Sequence, residues 1–256
     1  MSNSKDSVSR TVMVALVLCV VCSVIVSTAA VLLRDKQQAN AINEKKMNIL
    51  AAAGIEVVEG DLEAAFATIT PKLVDMRTGE FSTDEDVDTY NMRKAAKDPA
   101  QARALTREQD IASIRKQSLY STVYLVEGEQ GIERIILPVH GYGLWSTLYG
   151  FIALESDFNT VAGLGFYEHA ETPGLGGEVD NPRWKAQWPG KKVYADGSST
   201  PVLGLIKGKA AKGSLHDVDG LAGATLTSNG VTNLVKFWLG ENGFASFLTK
   251  LKAGEA

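Results

Sequence analysis

The chain has 256 residues, 45% of them hydrophobic, with 26 Lys and Arg against 30 Asp and Glu and a formal net charge of -4. That balance gives no basic groove for nucleic acid, and no cationic patch interleaved with aromatics is found. Both cysteines, Cys19 and Cys22, lie in one apolar run near the N-terminus, so the rest of the chain can form no disulfide.

Residues 1–10 read as a short polar tail. Residues 11–33 are 23 consecutive uncharged residues, mostly Val, Leu, Ile and Ala. As a helix they extend about 35 Å, enough to cross a hydrocarbon layer of about 30 Å. A signal peptide is the alternative, because Ser27-Thr-Ala-Ala30 has the small residues of a cleavage site. The run exceeds a signal core and continues through Val31-Leu-Leu33, which favours an uncleaved anchor in the lipid bilayer. Cys19 and Cys22 then read as small residues packed in that helix. Lys5 and Arg10 on one side face Arg34, Lys36, Lys45 and Lys46 on the other, so flanking charge does not decide the orientation. No carboxylate falls within 11–33, and the anchor alone offers no cation path.

The 223 residues from Arg34 onward suffice for one substantial core. Residues 34–118 read as a helical connector and an appended region. Within it, 41–53 has a helical pattern stopped by Gly54, and Thr83–Arg115 reads as an insertion, helical if anything, with Asp84-Glu-Asp86 on a solvated face. Residues 119–256 read as the main domain. Alternating apolar positions predict strands over 121–126 and 132–137, joined by a turn at 128–131, and further strands over 148–154, 160–167 and 201–206. Helices follow over 228–239, with Ser228 and Asn229 as N-cap and Gly240 as stop, and over about 242–252. The expected fold is α+β: a single N-terminal transmembrane helix, then a soluble domain with an antiparallel sheet and flanking helices. No Gly-x-Gly-x-x-Gly links a strand to a helix, which argues against a Rossmann unit, and His140, His169 and His216 have no metal-ligand spacing.

The run Asp219-Gly-Leu-Ala-Gly-Ala-Thr225-Leu-Thr-Ser-Asn-Gly230 surrounds Thr225 with residues too small to hide its hydroxyl. A loop that feeds a helix N-terminus suits a phosphate, although a bare Gly/Thr loop is as often only a turn. Together with Gly141-Tyr-Gly-Leu-Trp145 and Glu171-Thr-Pro-Gly-Leu-Gly176, this run resembles the covalent flavinylation pattern of the FMN-binding domain family. Ala222 stands where that pattern usually has Ser or Thr. The resemblance covers nearly the whole chain and implies that a separate flavin transferase esterifies the Thr225 hydroxyl to the terminal phosphate of FMN, reading Asp219, Gly223, Ala224 and Thr225. It implies a ring pocket from Tyr142, Trp145, Glu171, Thr172, Leu175 and Gly176, where without it Tyr142 and Trp145 read as ordinary core aromatics. Lys207 is expected near the ring or phosphate, although a surface lysine is the plain alternative. Gly223, Ala224, Thr227 and Ser228 are expected beside the phosphate and ribityl chain. No residue is expected to act on a diffusible substrate, and no metal site is expected. The implied function is electron transfer within a sodium-translocating NADH:quinone reductase, a redox pump of several subunits in the bacterial inner membrane, with the soluble body on the periplasmic face. The related ferredoxin:NAD oxidoreductase complexes, or a noncatalytic anchored scaffold, are the alternatives.

Overall fold

The computed structural model describes residues 8–57, 61–129 and 131–256. Residues 1–7 of the expected tail, Lys5 among them, and Gln130 of the expected 128–131 turn lie outside the described residues. The chain divides into two units, Met1–Glu44 and Lys45–Ala256.

Helix α1 (Val8–Ala52) joins the expected anchor and the expected 41–53 helix without a break, since no Pro or Gly interrupts the sequence between them. Its apolar stretch has a mean hydropathy of 2.8 and is exposed all round, and it is the one helix long and apolar enough to span a membrane among the described residues. Cys19 and Cys22 are free and exposed on it. At its far end the Ile55 N–H donates to the Leu50 carbonyl around Gly54, the expected stop.

In the second unit α2 (Leu62–Phe66) leads to β1 (Ile69–Asp75) and β2 (Glu80–Ser82). Then come α3 (Met92–Ala95), β3 (Ala102–Ala104) and β4 (Lys116–Ser118). The long strands are β5 (Tyr120–Gly128), β6 (Gly131–Tyr142), β7 (Thr147–Glu155) and β8 (Val161–Glu168). A 3-10 turn (Gly176–Asp180) precedes α4 (Pro182–Lys185). The chain finishes with β9 (Gly204–Ile206), β10 (Asp217–Asp219), α5 (Thr225–Trp238) and α6 (Ala245–Ala253).

Six strands form one antiparallel sheet in the order β2-β1-β5-β6-β7-β8. The sheet therefore begins at Ile69, inside the region 34–118 read as a helical connector and appended region. The sequence pattern hid β1 because Pro71 interrupts it. The structure tolerates Pro71 because β2 pairs only with Leu73–Asp75, so the outer side of Pro71 needs no ladder donor. Thr83–Arg115 also differs from its helical reading. Only Met92–Ala95 is helical, capped by the Asn91 side chain, and turns and the short β3–β4 pair make up most of the rest.

Residues alternate between two cores. Val123, Leu125, Ile135, Leu137, Ile152 and Leu154 face one side, where Val231, Leu234, Val235 and Trp238 of α5 cover them. Tyr124, Ile136, Phe151 and Ala153 face the other, against Ile49, Leu50 and Ala52 at the end of α1. Full burial of each such aliphatic side chain contributes about 1.5–3 kcal/mol. Helix α5 lies close on the end of β6: a Cβ on Gly230 would come 2.4 Å from the Tyr142 carbonyl oxygen, so only glycine fits there. The Trp238 indole N–H donates to the His140 carbonyl at 2.7 Å and fixes the other end of the helix. The expected strand 201–206 shortens to β9, which pairs in parallel with β10, a strand absent from the sequence reading.

Candidate functional site

Three segments converge at the start of α5: the loop from Tyr142 to Ser146, the turn from Glu171 to Gly176, and Gly223 to Ser228. What joins them is the carboxylate of Glu171. It accepts hydrogen bonds from the backbone N–H groups of Leu144, Trp145 and Ser146, from the Ser146 hydroxyl, and from the Thr227 hydroxyl at 2.7 Å. Glu171 is only 4% exposed. Burial raises its pKa, but the bonds from Thr227, Trp145, Ser146 and Leu144 outweigh that and leave it below the usual glutamate value. Gly176 is the close fit that lets Thr227 reach in: a Cβ there would lie 2.6 Å from the Thr227 hydroxyl oxygen.

Glu171, expected in the ring pocket, is thus the buried fastening of the loops and not an exposed contact. Thr172 does lie exposed, and its carbonyl accepts from Leu175 and Gly177 N–H groups. Thr227 and Ser228 depart from expectation too. Both are buried, and the Ser228 hydroxyl donates to the Ala224 carbonyl and accepts from the Leu221 N–H, so neither side chain faces outward to a phosphate. The reason is helical phase. The helix starts at Thr225, three residues before the expected N-cap, which turns Thr227 and Ser228 inward and makes the buried Ala224 the cap.

Thr225 faces the other way. It is exposed, and its hydroxyl has no hydrogen-bond partner among the described residues. No side chain caps the helix at Ala224, and the first-turn N–H groups of Thr225, Leu226 and Thr227 find no protein acceptor among the described residues. Gly223 takes a positive φ of 71° just before, and the Leu175 side chain lies over it.

Around this hydroxyl the surface is unusually apolar. Of the eight large hydrophobic side chains exposed beyond Met47 among the described residues, five stand on these three segments: Tyr142, Leu144, Trp145, Leu175 and Leu226. Trp145 is 67% exposed and Tyr142 46%, so neither is a core aromatic. Leu144 and Leu226 were not singled out from the sequence. Leu226 had a legible signal, since it falls off the stripe of Val231, Leu234, Val235 and Trp238.

Lys207 is exposed just beyond β9. The next residues hold the stretch before Thr225: the Gly208 carbonyl accepts from the Gly220 N–H, and the Asp219 carboxylate accepts from the Ala210 N–H at 2.7 Å. The Asp219 backbone is also held, by Trp184 and Gln187. His169 bonds Asp180 and the Glu171 N–H, while burial and then Arg93 push His140 down to about 4. Among the described residues no cluster of three or more His, Cys, Asp or Glu could hold a metal ion. A cleft of about 360 Å³, lined in part by Asp157, Tyr194, Asp196 and Lys252, shares no residue with the three segments.

An exposed hydroxyl at an uncapped helix start, beside flat and aliphatic walls, fits a cofactor with a phosphate at one end and a large apolar ring at the other. The FMN-binding domain family matches residues 143–240. The C subunit of the Na+-translocating NADH-quinone reductase of Pseudomonas aeruginosa is 52% identical over 99% of both chains. Its counterpart in Vibrio anguillarum is 51% identical over 99% of both. The crystal structure of Shewanella oneidensis NqrC superposes with a TM-score of 0.79 at 35% identity, covering 84% of this chain and 99% of that one. The same component of the reductase from Parabacteroides distasonis gives a TM-score of 0.65 at 28% identity, over 85% and 97% of the two chains. With its membrane helix, its sheet and its flavin-domain loops all inside these likenesses, the chain belongs to the NqrC family, the C subunits of the Na+-translocating NADH-quinone reductases.

Proposed function

We infer that this chain is an electron-transfer subunit of a Na+-translocating NADH:quinone reductase and carries FMN through a phosphoester on Thr225. The observation that carries the reading is the exposed hydroxyl of Thr225 at the uncapped start of α5, beside a cluster of exposed apolar side chains. Likeness to NADH-quinone reductase subunits over 99% of the chain favours this complex over the ferredoxin:NAD oxidoreductases.

Bound FMN supplies electron exchange. The chain's own residues attach, orient and expose it. The Thr225 hydroxyl holds the phosphate end, where the free N–H groups and dipole of α5 favour negative charge. Leu175, Trp145 and Tyr142 are the proposed walls of the ring, joined by Leu144 and Leu226, and Lys207 is the proposed nearby cation. Gly176 and Glu171 act from below, by setting the loops. A permanent tether keeps the cofactor in place in a pocket with one open side, which suits a relay between redox centres better than catalysis on a diffusible substrate.

The chain is a single-pass membrane protein within an assembly of several subunits. Its soluble unit is proposed to stand on the periplasmic face, although Arg34, Lys36, Lys45 and Lys46 outnumber the cations before the anchor. A flavin transferase is the proposed maturation partner, with Asp219 holding the acceptor segment through its bond to Ala210. The test is intact-mass analysis of the full chain made with its transferase, followed by peptide mapping. A mass increase of one FMN less water on the Thr225 peptide is expected, and an unmodified mass overturns the reading.

A further inference from the structure

Glu171 fastens the loops of the site, and a neutral side chain with the same reach could fasten loops too. Its charge is a separate feature. Every group bonded to the carboxylate is a donor: the N–H groups of Leu144, Trp145 and Ser146, and the hydroxyls of Ser146 and Thr227. A protonated carboxyl would set its own hydrogen against one of them, so this set of partners selects the ionised form. The three successive N–H groups converge on one oxygen, a nest for an anion, and the anion is the protein's own side chain. No ion pair among the described residues includes Glu171. The loops close directly on it: a Cβ on Gly143 would come 2.7 Å from one carboxylate oxygen, and a Cβ on Gly176 2.8 Å from the other. The neighbours of those backbone segments are the exposed apolar residues Tyr142, Leu144, Trp145 and Leu175. A negative charge without a counter-ion thus lies beneath the backbone that carries the apolar walls. Lys207 is exposed, so water and salt screen it far more than they screen Glu171.

We propose that Glu171 sets the reduction potential of the attached flavin, its buried negative charge opposing the charge that arrives with each electron and so holding the potential low. This rests on the reading that FMN on Thr225 lies against those walls. In each step one electron comes from a reduced redox centre of the complex and later passes to an oxidised one. Where no proton accompanies the electron, the ring gains a full negative charge. Repulsion from a buried anion then acts at an effective dielectric well below that of water. The donors around Glu171 spread its charge and moderate the effect, so removing a donor and removing the charge should have opposite signs.

The experiment uses the full chain in detergent, made with its flavin transferase and carrying covalent flavin, titrated with dithionite and redox mediators at pH 7 while the flavin absorbance is followed. Glu171→Gln is expected to favour one-electron reduction about tenfold, a rise of about 59 mV. Thr227→Val keeps the charge with one donor fewer and is expected to move the potential the other way, by less. A loosened or wetter site would move both variants in the same direction, whereas a charge effect moves them apart. Glu129→Gln removes the same charge from an exposed position in the turn between β5 and β6, at the far end of β6 from Tyr142, and is expected to match the wild type. A Glu171→Gln potential equal to or below that of the wild type overturns the proposal, as does an equal rise in Glu129→Gln. If Glu171→Gln does not fold or takes up no flavin, Thr227→Val decides, and a potential unchanged or raised in that variant overturns the proposal. A wild-type chain that takes up no flavin overturns the Thr225 reading itself, a result reached before any potential is measured.

Discussion

Thr225 and Thr227 stand two residues apart on the first turn of α5 and live in opposite environments. The Thr225 hydroxyl faces solvent, while the Thr227 hydroxyl is buried and donates to Glu171. Two residues turn an α-helix through about 200°, so one threonine is outward when its neighbour is inward. The outer face is left for chemistry and the inner face holds the loops that surround it. The difference can be broken from either side.

The largest effect is expected on the outer face. Thr225→Ala should lose all covalent flavin, with Thr227 unable to substitute, and should change stability by no more than about 0.5 kcal/mol, as for an exposed side chain without partners. Thr225→Ser should restore attachment. Mass analysis together with urea unfolding checks both halves. Flavin retained on the alanine variant would move the ester elsewhere.

On the inner face, Glu171→Gln should destabilise by about 2–4 kcal/mol, because an amide presents one acceptor oxygen and turns its NH2 toward backbone donors. The wild type should also show a pH dependence that the variant lacks. The folded pKa of Glu171 is held below its ordinary value of 4.5, so its contribution is complete above that value and is lost as pH falls through the folded value. Urea unfolding at pH 7 and at pH 3.5 measures both. Equal losses on acidification in wild type and variant would remove Glu171 from the account.

Much of this architecture was legible in the sequence. Period-two alternation from Ser121 to Tyr167 located β5 to β8, and the uncharged run 11–33 located the span. The strands before them were hidden by Pro71 and by the shortness of β2, both tolerable because pairing on that side covers only Leu73–Asp75. The three segments of the site could be read, and the small residues around Thr225 mark it as the proposed attachment residue. The inward roles of Glu171, Thr227 and Ser228 could not, because they depend on the helix starting at Thr225 instead of Ser228. Residue type showed polar groups near a cofactor loop. Only the phase of the helix and the fold of the 144–146 backbone decided which of them pointed at one another.

Thr227→Val should cost about 1.5–3 kcal/mol, the scale of one hydrogen bond to a charged acceptor with shape kept. Attachment of flavin to Thr225 should persist, since four other donors remain on Glu171. If attachment fails while the domain stays folded by circular dichroism, the inner and outer faces are coupled more tightly than their geometry suggests.

The smallest expected effect on stability is at Leu175, which is 43% exposed and lies over Gly223 beside the acceptor. Leu175→Ala removes little buried area, so unfolding should shift by less than about 0.5 kcal/mol, and labelling of Thr225 should go to completion. What should change is the environment of the attached ring. A wall of four carbons is replaced by one, water gains access, and iodide should quench the flavin fluorescence of the folded variant more strongly than that of the wild type. Trp145→Ala should act the same way from the 142–146 loop. Unchanged quenching in both would mean that neither Leu175 nor Trp145 covers the ring, leaving Tyr142, Leu144 and Leu226 as the apolar side chains of the site that could cover it.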